Sequence, residues 1–204
     1  MSTVLGLSAF QSFVKRTFDF SIAFLGLVFT FWIILFSWLA ASFDTRSNGF
    51  FIQKRVGRHG EVFHVVKIKT MKPVADFDST VTRRGDPRIT PLGAFFRRTK
   101  IDELPQLWNV LLGDMSFVGP RPDVPGFADQ LQGNERALLS IRPGITGPAT
   151  LKYRNEEELL AEQEDPEAYN REVIWPDKVQ INLEYIQNWS LKNDLKYILN
   201  TVFH

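Results

Sequence analysis

"TKIDELPQLWNVLLGDMSFVGPRP", residues 99–122, governs how the rest of the chain is read. Its apolar residues Leu104, Leu107, Trp108, Leu111 and Leu112 recur at helical spacing. Pro105 is tolerated only in a first turn, so the spacing predicts a helix that begins close to Asp102-Glu103. Gly113 supplies its stop. The two carboxylates then lie at or beside a helix N-terminus, where free N–H groups and the helix dipole favour negative charge. The same kind of place binds phosphate. Arg97 and Arg98 stand about one turn upstream. Arg121, between two prolines, has a rigid backbone and a forked guanidinium suited to phosphate. A carboxylate in such company can be a phosphoryl-accepting nucleophile or a magnesium ligand, and two adjacent ones can divide those roles. Glycoside hydrolysis fits less well, because neighbouring acids on a helix seldom flank a sugar at the required separation. An isolated Asp-Glu pair is ordinarily a cap and a solvated acid, so the weight must come from the surroundings.

Upstream, residues 50–100 hold twelve Lys/Arg against four Asp/Glu, whereas residues 151–172 hold eight acids against Lys152, Arg154 and Arg171. A basic segment ahead of an acid pair points to anionic ligands, anionic lipid, or both. "FFIQKR" reads as a strand, "VGRHG" as its turn and "EVFHVVKIK" as the returning strand of a β-hairpin. Lys67 and Lys69 share one face of that strand. Residues 73–90 read as a loop. Residues 92–98, "LGAFFRR", fit a short helix with a bulky apolar face and a basic rim, at a membrane surface or against a core.

Residues 20–43 carry no charge. About 20 apolar residues are enough to cross a bilayer. This run is too long for a typical signal-peptide core and lacks a small-residue cleavage site. Lys15 and Arg16 precede it; Arg46, Lys54, Arg55 and Arg58 follow it. Positive charge at both ends opposes simple spanning. Either one end crosses, or the segment enters and leaves by the same face. Asp19 lies one turn from Lys15 and Arg16, close enough to pair.

The 204 residues, 44% of them apolar, suffice for one globular domain with a real core. No cysteine is present, which excludes disulfides, thiolate zinc sites and iron–sulfur clusters. His59, His64 and His204 are too scattered for a histidine metal cluster. Residues 177–189 and 191–203 read as amphipathic helices separated by "NWS", with Asp177 or Pro176 opening the first and Asp194 in the first turn of the second. "DFD", Asp76 to Asp78, offers a competing metal and nucleotide motif, but no nucleotide-binding βαβ series surrounds it.

Several pieces stand in the order of a known family. "KRTFDF" (15–20), the apolar run, "QKRVG" (53–57), "FHVVKIKTM" (63–71), "RITPLGAFFRRTKIDELPQLWNVLLGDMSFVGPRP" (88–122) and "RPGITG" (142–147) resemble the bacterial sugar transferases known as small monotopic phosphoglycosyl transferases. "NLEYIQNWSLKNDLKYI" (182–198) adds a weaker match. With no multi-helix membrane domain ahead of these pieces, the small form is expected. The resemblance implies transfer of a phosphosugar from a UDP-sugar to polyprenyl phosphate, usually undecaprenyl phosphate, with release of UMP. That is the first membrane step of capsule, O-antigen or exopolysaccharide assembly. It implies Asp102 as the nucleophile that carries the phosphosugar and Glu103 as a ligand for Mg2+. Lys69, Arg97 and Arg121 are implied to hold phosphates, joined by Arg142 and by Arg154 in place of a family arginine. Asp194 belongs to the same pattern, and Lys15, Arg16 and Asp19 are assigned to membrane anchoring. The implied fold is α+β and mainly helical. A re-entrant membrane helix (1–46) precedes a catalytic domain (47–204) with a helix-associated β-hairpin and interfacial helices around a cytoplasmic active site. The implied location is the cytoplasmic face of the bacterial inner membrane. The lipid bilayer is an implied partner, nucleic acid is not, and the oligomeric state is left open, a homodimer included.

Two features depart from the family pattern. Many relatives bend the membrane helix at a Ser-Pro, but here Thr30-Phe31-Trp32 stands in that region and no proline occurs from residue 1 to 72. After "RPGITG" the chain carries a longer acidic insert, so sugar specificity is not transferable. Two rival classes remain: a glycosyltransferase that uses Asp76 and Asp78 and releases UDP, and a non-catalytic membrane scaffold.

Overall fold

A computed structural model describes residues 6–73 and 86–203. Its longest element is helix α1, Ala9–Thr45. Ser8 opens it with a capping box: Gln11 N–H donates to Ser8 Oγ at 3.2 Å, and Ser8 N–H donates to Gln11 Oε1 at 2.9 Å. The helix runs without interruption through Thr30-Phe31-Trp32. Thr30 turns its hydroxyl inward and donates to Gly26 O at 2.7 Å, so it adds a bond to the helix instead of opening it. One stripe of α1 is buried: Lys15, Asp19 and Ala23 near one end, and Ser37, Ala41 and Thr45 near the other. The rest bares Phe24, Val28, Phe29, Phe31, Trp32, Phe36 and Phe43.

The hairpin forms as the alternation predicts. Strand β1, Phe50–Val56, pairs antiparallel with β2, Val62–Ile68, from Phe50 opposite Ile68 to Val56 opposite Val62. The tight turn between them places His59 and Gly60 at positive φ. Ile68 packs with Ala41 of α1 and with Phe96, fastening the hairpin to the later end of the long helix.

Helix α2, Pro91–Thr99, is capped by Thr90, whose Oγ1 accepts from Gly93 N–H at 2.8 Å. Gly93 is required for closeness, since a Cβ there would run into the Thr70 carbonyl. Lys100, at φ 59°, reverses the chain. A single 3₁₀ turn, Ile101–Glu103, then leads into α3, Gln106–Leu112, which Gly113 ends at φ 97°. Asn109 of α3 completes the outer edge of β2: its Nδ2 donates to His64 O at 2.8 Å and its Oδ1 accepts from Val66 N–H at 3.1 Å. The hairpin is therefore tied to the acid-bearing turn by side chain as well as by packing.

The next element has no counterpart in the sequence pattern. Strand β3, Ser116–Val118, pairs parallel with β4, Gly144–Thr146. "GPRP" and "RPGITG" are thus each other's packing surface. A Cβ on Gly144 or on Gly147 would strike the backbone of Gly119. Helices α4, Pro148–Lys152, α5, Glu156–Ala161, and α6, Pro166–Tyr169, follow, so the acidic insert is largely helical. A π-helical turn, Asn170–Ile174, joins α6 to α7, Trp175–Gln187. Helix α8, Leu191–Phe203, ends the described chain. Both last helices lie where their apolar spacing predicts.

Candidate active site

The two acids of the 99–122 stretch lie in the 3₁₀ turn, one turn before α3, whose N-cap is Pro105. Glu103 N–H already donates to Lys100 O at 3.2 Å. The acids thus stand just ahead of α3, beside its N-terminus as the spacing predicts. Cationic side chains pair with Glu103 and bear only electrostatically on Asp102, because the reversal at Lys100 turns the two acids toward the hairpin.

Glu103 Oε1 accepts from Lys67 Nζ at 2.9 Å and faces Arg121 Nη2 at 3.8 Å. Burial alone would raise its pKa, but Lys67, Arg121 and Lys100 outweigh that and hold it at about 2. Asp102 is 8% exposed, and its Oδ1 is buried with no hydrogen-bond partner. Burial, then the charge of Glu103, push its pKa up to about 6 against the pull of Lys67, Lys100 and Arg97. Adjacent acids thus acquire opposite characters: one permanently anionic and paired, the other with a buried oxygen that has no partner. Lys67 is itself pushed down, by burial and then by Arg121, while Glu103 acts to hold its proton.

Of the other expected residues, Arg97 in the last turn of α2 lies within electrostatic reach of Asp102. Arg121 joins the acids from the turn after β3, with its backbone set between buried Pro120 and Pro122. Lys69 does not reach Glu103 and donates instead to Ser47 Oγ at 2.8 Å. Lys67, on the same strand face, makes the contact. Strand alternation admits both lysines, and only the packing of β2 against the 3₁₀ turn separates them.

Six expected residues belong elsewhere. Arg142 Nε donates to Gly113 O at 2.6 Å, while Arg16 donates to Val110 O and Leu111 O at 2.6 and 2.7 Å. Together they cap the negative end of α3. Arg154 Nη2 reaches Asn200 O of α8 at 3.3 Å. Asp194 is closed in by Lys15 Nζ at 2.6 Å, Tyr185 Oη at 2.7 Å and Trp189 Nε1 at 3.0 Å. Asp19 Oδ1 accepts from Phe117 N–H at 3.1 Å. Lys15, Arg16 and Asp19, assigned to membrane anchoring from the resemblance, make contacts within the protein that fasten α1 to the body. Asp76 and Asp78 lie outside the described residues.

Among the described residues no three His, Cys, Asp or Glu side chains gather as a metal cluster. A magnesium ion needs less, since it commonly takes one or two carboxylates and completes its shell with waters and substrate phosphates. Asp102 and Glu103, two hard oxygen donors with one oxygen unpartnered, fit that requirement.

Comparison with known proteins gives this geometry a context. The family model described as "Bacterial sugar transferase" matches residues 10–204. The chain is 36% identical over 203 residues to the UDP-glucose:undecaprenyl-phosphate glucose-1-phosphate transferase of Escherichia coli (strain K12), covering 97% of this chain and 41% of that protein. It is 32% identical over 207 residues to the undecaprenyl-phosphate galactose phosphotransferase of Salmonella typhimurium, covering 93% of this chain and 40% of that protein. Exopolysaccharide production protein ExoY of Sinorhizobium fredii is 31% identical over 204 residues, covering 92% of this chain and 83% of that protein. The chain therefore spans about two fifths of the first two relatives and most of the third. With nearly its whole length matched, the stretch that holds Arg97, the acid pair and Arg121 included, the chain belongs to the bacterial sugar transferase family.

Proposed function

We propose that this chain transfers a sugar 1-phosphate from a UDP-sugar to polyprenyl phosphate and releases UMP. The observation that carries this reading is the buried, unpartnered Oδ1 of Asp102 beside a Glu103 already committed to Lys67 and Arg121. A carboxylate oxygen of Asp102 attacks the sugar-bearing phosphorus. The bond from that phosphorus to the bridging oxygen breaks, and UMP leaves with the electron pair. An oxygen of polyprenyl phosphate then attacks the same phosphorus, the bond to Asp102 breaks, and the carboxylate is regenerated. Arg121, Lys67 and Arg97 supply the positive field that holds the diphosphate in line. Glu103 would hold a magnesium ion, which would supply charge neutralisation of the diphosphate when bound.

A lipid acceptor requires contact with a bilayer, and the bare aromatic face of α1 is suited to it. Both ends of α1 are buried against the same body, and Gly26 lies against Leu107. From Gly26 to Ser37 the helix rises only about 16 Å, roughly half of a hydrocarbon core of about 30 Å. That favours a helix that lies along one face of the bilayer, since α1 has no break at which to turn back, with the acids on the cytoplasmic side where UDP-sugars are made. A cysteine replacing Ser2 should resist an impermeant thiol reagent in intact cells; labelling there would support spanning.

The test of the reaction is the nucleotide released from a panel of UDP-sugars with undecaprenyl phosphate. UMP is expected, and it should be lost in excess EDTA. Release of UDP would favour a glycosyltransferase, and no turnover at all would favour a scaffold.

A further inference from the structure

Arg121 has a second acidic neighbour. Asp123 lies two residues on, at most about 7 Å along the chain. Its backbone carbonyl accepts from Val56 N–H at 2.8 Å, which fixes the end of β1 to this turn. Lys178, Arg55 and Arg121 bear electrostatically on its carboxylate, yet each is committed elsewhere. Arg55 donates to Gln53 Oε1 at 2.6 and 3.1 Å and to Pro122 O at 3.0 Å. Lys178 donates to both carboxylate oxygens of Glu156 at 2.7 and 2.8 Å. Arg121 faces Glu103. Among the described residues none donates a hydrogen bond to the Asp123 carboxylate, although burial raises its pKa to about 6 against all three cations. Asp123 and Arg121 sit at the polar side of a small cavity whose other walls are apolar, Val56, Leu138, Leu139 and Ile141 among them.

An acid that is ionised at neutral pH accepts hydrogen bonds and donates none, and the half-buried Asp123 takes its donors from water or from the hydroxyl groups of a ligand. With the diphosphate held at Arg121, the groups two residues away are the hydroxyl-bearing parts of the donor. We propose that Asp123, set among Arg55, Arg121 and the Lys178–Glu156 pair, is the acceptor that reads vicinal hydroxyl groups of the UDP-sugar, on its hexose or its ribose. This rests on the transfer reading above. It also gives the acidic insert a role, since Glu156, on α5, keeps Lys178 of α7 from closing onto Asp123.

The experiment is calorimetric binding of UMP and a panel of UDP-hexoses and UDP-N-acetylhexosamines to the full chain in nanodiscs. An Asp102→Asn background prevents turnover. Adding Asp123→Asn should weaken UDP-sugar binding by about tenfold or more, as for loss of a hydrogen bond to a charged group. If the hydroxyls are the ribose's, UMP weakens equally. If they are the sugar's, UMP is unchanged and discrimination among the sugars shrinks. Glu156→Gln, which leaves Asp123 in place, should weaken UDP-sugar binding in the same direction by freeing Lys178. Unchanged affinities for all ligands in both variants overturn the assignment while leaving the transfer reading intact. A parent protein that binds neither UMP nor any UDP-sugar overturns the transfer reading, and the assignment with it.

Discussion

Two ionic clusters of similar composition do opposite things in this molecule. One joins Lys15 to Asp194, with Tyr185 and Trp189 also donating to the acid. The other joins Lys67 and Arg121 to Glu103, with Asp102 alongside. In the first, Asp194 is 1% exposed and accepts three hydrogen bonds, and Lys15 is 5% exposed. In the second, the same kinds of group leave Asp102 Oδ1 buried without a partner. A saturated cluster fixes α1 to α8. An unsaturated one has an unmet interaction that a hydrogen-bond donor or a cation can satisfy. Charge content alone does not separate structure from chemistry; the count of filled acceptor positions does.

The largest difference should appear in turnover. Asp102→Asn is expected to lower UMP release by about a thousandfold or more, because it removes the attacking oxygen and leaves the shape. Asp194→Asn should leave the rate per folded molecule within a few-fold of wild type. Comparable rate losses in two equally folded variants would erase the distinction.

Stability should move the opposite way. Asp194→Asn removes the hydrogen-bonded counter-charge of buried Lys15 and leaves only Asp19 to act on it, a loss of up to about 3–5 kcal/mol. Asp102→Asn should stabilise. The folded pKa of Asp102, about 6, lies above the ordinary 3.8. The folded protein therefore binds the proton more tightly than the unfolded chain. Its cost to stability is absent below pH 3.8, grows as pH rises, and is complete above about 6. At pH 8 the Asn variant should gain up to about 3 kcal/mol, and at about pH 3.5 nothing. Thermal melts at the two pH values check the sign.

The pH profile of the rate separates the two acids of the open cluster. UMP release should fall below about pH 6 as Asp102 protonates, while Glu103, held at about 2, stays ionised throughout. Lys67 acts to lower the Asp102 pKa, so Lys67→Met should shift that limb to higher pH and reduce the rate by about ten- to a hundredfold. The smallest effect belongs to Lys69, which pairs with Ser47. Lys69→Met should change the rate by less than about threefold, roughly the range of exposed polar contacts.

Much of this arrangement is legible in the sequence. The helical spacing after Pro105, the stop at Gly113 and the alternation from Phe50 to Ile68 reflect short-range rules that the structure obeys. The acid pair and Arg121 are legible as candidates for the same reason: a rigid Pro-Arg-Pro turn and adjacent acids are local features. Which lysine faces the acids is not, because Lys67 and Lys69 differ only in how far β2 runs along the 3₁₀ turn. The roles of Lys15, Asp19 and Asp194 escape a local reading because their partners lie far away in sequence, 179 residues apart for Lys15 and Asp194. The pairing of β3 with β4 is invisible for a related reason. Three-residue strands carry too little alternation to register, and their signal is the set of glycines that lets two turns touch. Asn109 gives no such signal, because it lies off the apolar stripe of α3, on the face buried against β2.

The mechanism stands or falls on whether Asp102 carries the phosphosugar. Intact-protein mass after mixing with UDP-sugar and magnesium, without lipid acceptor, decides the point. Wild type should gain one phosphosugar, Asp102→Asn should gain none, and the adduct should disappear when undecaprenyl phosphate is added. An adduct that persists in Asp102→Asn, or that peptide mapping places on Glu103, would refute the assignment.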